Sequence, residues 1–80
     1  MKLTAARPLF GETASLFVNE AAKYEERILV KKEHWVVDGK SLLGLLALAL
    51  QPGDEVELEA EGKDVNPQFV ETLKKEGLFK

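Results

Sequence analysis

The sequence contains no cysteine, so disulfide staples and thiolate chemistry are excluded. It holds a single histidine, His34, and so cannot build a histidine-based metal cluster. No cofactor or metal is implied. The apolar run from Leu42 to Leu50 has nine residues, whereas a membrane helix needs roughly 20. Basic surface is scarce as well. The net charge is −3, and Lys31-Lys32 and Lys74-Lys75 are isolated pairs, each followed by a glutamate. Nucleic-acid binding needs a concentrated basic face, which argues against that class of partner. Arg7 and Pro8 interrupt the first segment before a signal-peptide apolar core can form. A cytoplasmic location, with no membrane contact, is the default expectation. There is no repeat, low-complexity tract or linker, so residues 1–80 read as one domain. A chain this short buries only about 60% of its unfolded surface, so its core must be thin.

What is present is a clear succession of patterns. Lys2 to Ala6 reads as a short strand with Leu3 and Ala5 on one face. Ala6 to Gly11, with Pro8, reads as a loop. From Glu12 to Tyr24, Ala14, Phe17, Val18 and Ala21 fall at helical spacing. Arg27 to Lys32 alternates, and Trp35 to Val37 is a second β-rich run after a turn short enough for a hairpin. Ser41 is placed to cap a short helix over Leu42 to Leu48. Gln51-Pro52-Gly53-Asp54 has the residues of a type II turn. Glu55 to Glu61 then alternates strictly, with Val56, Leu58 and Ala60 inward and the glutamates outward. Lys2, Arg27 and Lys31 are the basic residues available to face them. Asn66-Pro67 opens a last helix with Phe69, Val70 and Leu73 on its apolar side. Gly77 and Leu78 suit the positions just past its end. The order β-α-β-β-α-β-α predicts an α/β (α+β) two-layer sandwich, an antiparallel sheet with helices on one face.

Four features invite a functional reading. Ser41 is a helix cap, and a phosphate there would meet free N–H groups and the positive helix end. The run Leu42 to Leu50 carries six leucines, more than one sheet face can bury around a short helix. An exposed patch is therefore expected, with Leu42, Leu43 and Leu46 as its members. It would serve a partner protein or a dimer contact. His34 is the only imidazole, but its position suits a hairpin-turn residue at positive φ. The glutamate row is spread along one strand with no loop to fold it around an ion, so it reads as a solvated sheet face.

The element order and the stretch Gly39-Lys40-Ser41-Leu42-Leu43-Gly44-Leu45-Leu46-Ala47-Leu48 resemble the HPr family, the phosphocarriers of the sugar phosphotransferase system. The likeness extends to Ala22-Lys23-Tyr24, Pro52-Gly53, Glu55-Val56-Glu57-Leu58, Glu61-Gly62-Lys63-Asp64 and Lys75-Glu76-Gly77-Leu78. It implies a four-stranded sheet in the order 1-4-2-3 with three helices on one face. It also implies docking of partner proteins through Lys40, Leu42, Leu43 and Leu46 and the start of the first helix, with Ser41 as the regulatory phosphorylation site. The family's phosphocarrier signature is a histidine, a small residue, then Arg-Pro at the start of the first helix. An ungapped alignment from Lys40-Ser41 puts Phe10 at the histidine, Glu12 at the arginine and Thr13 at the proline. Ala5-Ala6-Arg7-Pro8 mimics the signature without its histidine, but using it would leave almost no first strand. Phenylalanine offers no nucleophile, and Glu12 would repel phosphoryl oxygens.

The expectation is therefore a non-enzymatic regulatory or docking protein, a monomer or weak dimer. Its partners would be an HPr-type kinase, phosphotransferase components or a transcriptional regulator. A catabolite-repression homologue within the family likewise loses the histidine and keeps the serine. The alternatives are a phosphocarrier working through a non-standard residue such as His34, and an HPr fold kept without its function.

Overall fold

A computed structural model describes all 80 residues. The elements are β1 (Lys2–Thr4), α1 (Glu12–Ala21), β2 (Ile28–Lys32), β3 (Trp35–Asp38), α2 (Leu42–Leu48), β4 (Glu55–Ala60) and α3 (Pro67–Lys75). The four strands form one antiparallel sheet in the order β1-β4-β2-β3. Alternation and helical spacing predicted the antiparallel sheet and the elements, and the resemblance to the HPr family implied the strand order.

The core lies between the sheet and the helices. Val56, Leu58 and Ala60 of β4 are buried with Ile28 and Val30 of β2 and Leu3 of β1. From the helices come Ala14, Phe17, Leu45, Phe69, Val70 and Leu73. Phe17 sits centrally, its ring 5.5 Å from Phe69 and 6.0 Å from Phe79. Such edge and tilted arrangements suit the ring quadrupoles. No polar side chain is buried, so this thin core carries no desolvation cost of that kind.

The helix ends follow from their residues. Asn66 accepts from the Gln68 N–H at 2.8 Å and Pro67 takes the first helical position. At the other end of α3, Gly77 adopts φ 77°. The Leu78 N–H then reaches the Leu73 carbonyl, and the Gly77 N–H the Lys74 carbonyl, both at 3.0 Å. This is the Schellman arrangement, and Leu78 is buried as its apolar contact. Gly53 at φ 94° and the 3.0 Å bond from Asp54 N–H to the Gln51 carbonyl close the type II turn.

Three details differ from the sequence expectation. Helix α1 ends at Ala21, not Tyr24. Lys23 and Tyr24 continue in tight turns while the Tyr24 ring packs 5.4 Å from Phe69. In the β2–β3 hairpin the positive-φ residue is Glu33, at 56°, not His34. Glu61, at φ 51°, lies in the turn after β4 and not on its outer row. Among the basic residues proposed to face that row, Lys31 alone forms an ion pair, to Glu59 at 2.8 Å. Lys2 stands opposite Glu57 in register without an ion pair. Arg27 contributes only its carbonyl, accepting from Glu61 N–H.

Candidate docking and phosphorylation site

Helix α2 and the entry to α1 form the candidate site. Asp38 shapes the approach to α2: its carboxylate accepts from Lys40 N–H at 2.9 Å and its carbonyl from Ser41 N–H at 3.0 Å. Ser41 then adopts an extended backbone, and its Oγ accepts from the Gly44 N–H at 3.1 Å. The N-cap expected from sequence is thus formed. Gly44 permits close docking of the helix on β3, since a methyl group there would stand 3.1 Å from the Val37 Cβ.

The leucines divide by helical phase. Leu45, Leu48 and Leu50 are buried, whereas Leu43 is 80% exposed and Leu42 39%. Leu46 departs from the expected exposed set: it is half-buried and packs against the core. It stands next to buried Leu45, at the border of the buried face, which the leucine count does not resolve. Ala47 is exposed and lies four residues after Leu43, on the same side.

Two contacts tie this helix to α1. The Lys40 ammonium donates to the Tyr24 carbonyl past the end of α1. At the other end of α2, the Leu9 N–H donates to the Leu50 carbonyl at 3.0 Å. The two helices therefore run side by side in opposite directions. The α1 entry is held by Thr13, whose hydroxyl accepts from Phe10 N–H at 3.0 Å and lies 2.6 Å from the Pro8 carbonyl it donates to. Gly11, at φ 59°, is the N-cap residue and supplies no side-chain cap. Phe10 stands 71% exposed just before the helix, and Glu12 occupies its first turn. Arg7-Pro8 lies in the loop ahead of the helix, with Ala5 and Ala6 bonded to Asp54 and Leu78 at the strand end.

His34 belongs to a different element, stacked at 5.5 Å on Trp35 in the hairpin. No group of histidine, aspartate and glutamate side chains is placed to hold a metal. Sequence reasoning missed one ion pair at this end of the molecule. The Lys32 ammonium lies 3.1 Å from the Asp54 carboxylate and also points to the Leu48 carbonyl at 3.5 Å. Asp54 further accepts from Gln51 N–H at 2.9 Å. That backbone bond first, and the lysine second, hold its carboxyl below the usual carboxylate range. Only the Lys32 and Asp54 residue types, not their local spacing, hinted at the pair.

The fold, the capped α2 and the apolar surface beside α1 agree with a family model described as the PTS HPr component phosphorylation site, which matches residues 3–75. The chain belongs to the HPr family. It is 41% identical to the HPr-like protein Crh of Bacillus subtilis over 56 residues, which span 70% of this chain and 66% of that relative. The phosphocarrier protein HPr of Bacillus anthracis superimposes with a TM-score of 0.77 at 28% identity, covering 91% of this chain and 88% of that one. The crystal structure of Bacillus subtilis Crh gives 0.68 at 32% identity, covering 98% and 90%, and is described as a dimer with a swapped domain. This HPr-family chain is thus related to the phosphocarrier proteins of the phosphotransferase system. No helix is long and apolar enough to cross a membrane.

Proposed function

We propose that this HPr-family chain is a cytoplasmic regulatory docking protein that does not carry phosphate on histidine. The observation that carries the reading is the exposed Phe10 and Glu12 at the entry to α1, beside an intact α2 surface. A phosphocarrier site needs an imidazole nitrogen and positive potential around the phosphoryl group. This entry offers an aromatic ring and a carboxylate. Phe10 at one end of the paired helices, and Leu42 and Leu43 with Lys40 at the other, instead offer apolar surface to partners of the phosphotransferase type.

Ser41 is the proposed point of control. Its Oγ sits at the helix start, and a phosphate there would meet first-turn N–H groups. The modification adds a charge of about −1.5 to −2 at the rim of an apolar surface. Partner choice changes while the helix stays folded, because misplaced charge at an interface discriminates strongly. The likeness to Crh, a relative sharing this fold and region, supports the regulatory reading over the carrier reading.

The test uses an HPr-type serine kinase as the partner. Wild-type protein should be modified at Ser41, mapped by mass spectrometry, and Leu43→Glu should lose binding to the kinase while melting like the parent. If authentic HPr is labelled in the same reaction and Ser41 is not, the control reading fails. Unchanged binding by Leu43→Glu would remove Leu43 from the docking surface.

A further inference from the structure

The sheet has two edges, and they are treated differently. The β1 edge is covered by the chain's own end. Thr4 and Lys80 exchange backbone hydrogen bonds at 3.3 and 2.9 Å, and Ala6 N–H donates to the Leu78 carbonyl at 2.9 Å. Nothing covers β3. Its register with β2 runs Leu29 to Asp38, Val30 to Val37, Lys31 to Val36 and Lys32 to Trp35. Gly39 N–H donates to the Ile28 carbonyl at 2.7 Å, which fixes the phase of the ladder. Hydrogen-bonded pairs alternate in an antiparallel ladder, so Val37 and Trp35 turn their backbone groups to β2. Val36 turns its own outward, whereas the Asp38 carbonyl already accepts from Ser41 N–H.

This open edge is also apolar. Trp35 is 59% exposed and Val36 54%. Natural edges are commonly blunted by lysine, proline or a bulge. Within β3 the only charge is Asp38, at its end.

We propose that β3 pairs antiparallel with β3 of a second copy of this chain, joining two sheets into one. The sequence of the strand selects the second copy as occupant, because it is self-complementary about Val36. In that register Val36 faces Val36, and Trp35 faces Val37 of the other copy on the helix side. Apolar residues meet apolar residues at three successive positions. The outward N–H and C=O of Val36 form a hydrogen-bonded pair with their symmetry mates. Centring on Val37 would instead set Val36 against Asp38, and centring on Asp38 would oppose two carboxylates, which is unfavourable. A closed twofold contact of this kind stops at two copies, since each chain has only one open edge.

The contact is separate from the α2 docking surface and from any exchange of whole segments. Sedimentation of the full chain, from micromolar to millimolar concentration, should show a reversible monomer–dimer equilibrium. Trp35 is the only tryptophan, so its emission should shift blue over the same range as the ring leaves water. Val36→Lys should lower the association constant about tenfold or more, from two lysines facing each other. Its melting temperature, measured where the parent is monomeric, should be unchanged. Leu43→Glu should leave the dimer intact. The proposal is overturned if the chain stays monomeric at millimolar concentration. It is equally overturned if a dimer forms without a change in Trp35 emission or survives Val36→Lys, because either result places the contact elsewhere.

Discussion

Replacing Ser41 with alanine tests the local structure on which the candidate site rests. The Oγ is 3.1 Å from the Gly44 nitrogen, and the residue already has the extended backbone of a capping position. Alanine leaves that N–H without its side-chain acceptor. The cost of losing such a cap is about 1 kcal/mol, within a range of about 0.5–2. Helix α2 has seven residues and no acidic side chain in its first turn to compensate. For a domain of this length each kcal/mol lowers the midpoint by roughly 4–8 °C. Ser41→Ala should therefore melt several degrees below the parent by circular dichroism. Ser41→Asp retains an acceptor and adds negative charge at the positive helix end, so it should melt near the parent or above it. If Ser41→Ala melts with the parent, the bond carries no stability. If Ser41→Asp unfolds the protein, a phosphate at the same place could not be tolerated, and the switch reasoning falls with it.

The other expectations concern packing, strain and charge. Leu43→Glu should change stability by no more than about 0.5 kcal/mol, whereas Leu46→Glu should cost roughly 1–3 kcal/mol because Leu46 packs on the core; equal urea midpoints would contradict this division. Ala49 ends α2 at φ 50°, so Ala49→Gly should raise stability by about 0.5–1 kcal/mol in the same assay, and a loss would show that the left-handed position is not strained. Asp54 has a folded pKa below its ordinary value, so its contribution is present above about pH 4 and is lost as the pH falls further, through the folded value. Melting temperature against pH should show a flatter acid limb for Asp54→Asn, and parallel limbs would discount the Gln51 and Lys32 contacts.

The sheet was legible because β4 and β2 carry their burial in strict alternation, and the helices because each has an apolar stripe with a recognisable start. Ser41, Asn66 and Gly77 stand where their chemistry is needed, so those helix ends could be placed from residue type. The end of α1 could not. Ala22-Lys23 are good helix formers, and what turns the chain is the packing of Tyr24 on Phe69, a contact remote in sequence. Glu33 holds a conformation that residue type assigns more readily to His34, because hairpin geometry overrides preference. The Lys32–Asp54 pair joins a strand end to a turn 22 positions away (54 minus 32), which no local pattern encodes. At the candidate site, the excess of leucine signalled an exposed surface correctly. Its membership depended on the angle at which α2 lies on β3, set by the contact of Gly44 with Val37. The covered β1 edge was hidden for the same reason: the pairing of Thr4 with Lys80 spans nearly the whole chain.

The claim at the centre of this account is that no histidine relay operates here. Phosphoenolpyruvate and the general phosphotransferase enzyme, with an authentic HPr as positive control, provide the direct measurement by intact mass. The account predicts one added phosphate on the control and none on this chain. Stoichiometric, acid-labile phosphorylation of this chain would contradict it, and loss of that label in His34→Ala would locate the carrier in the hairpin.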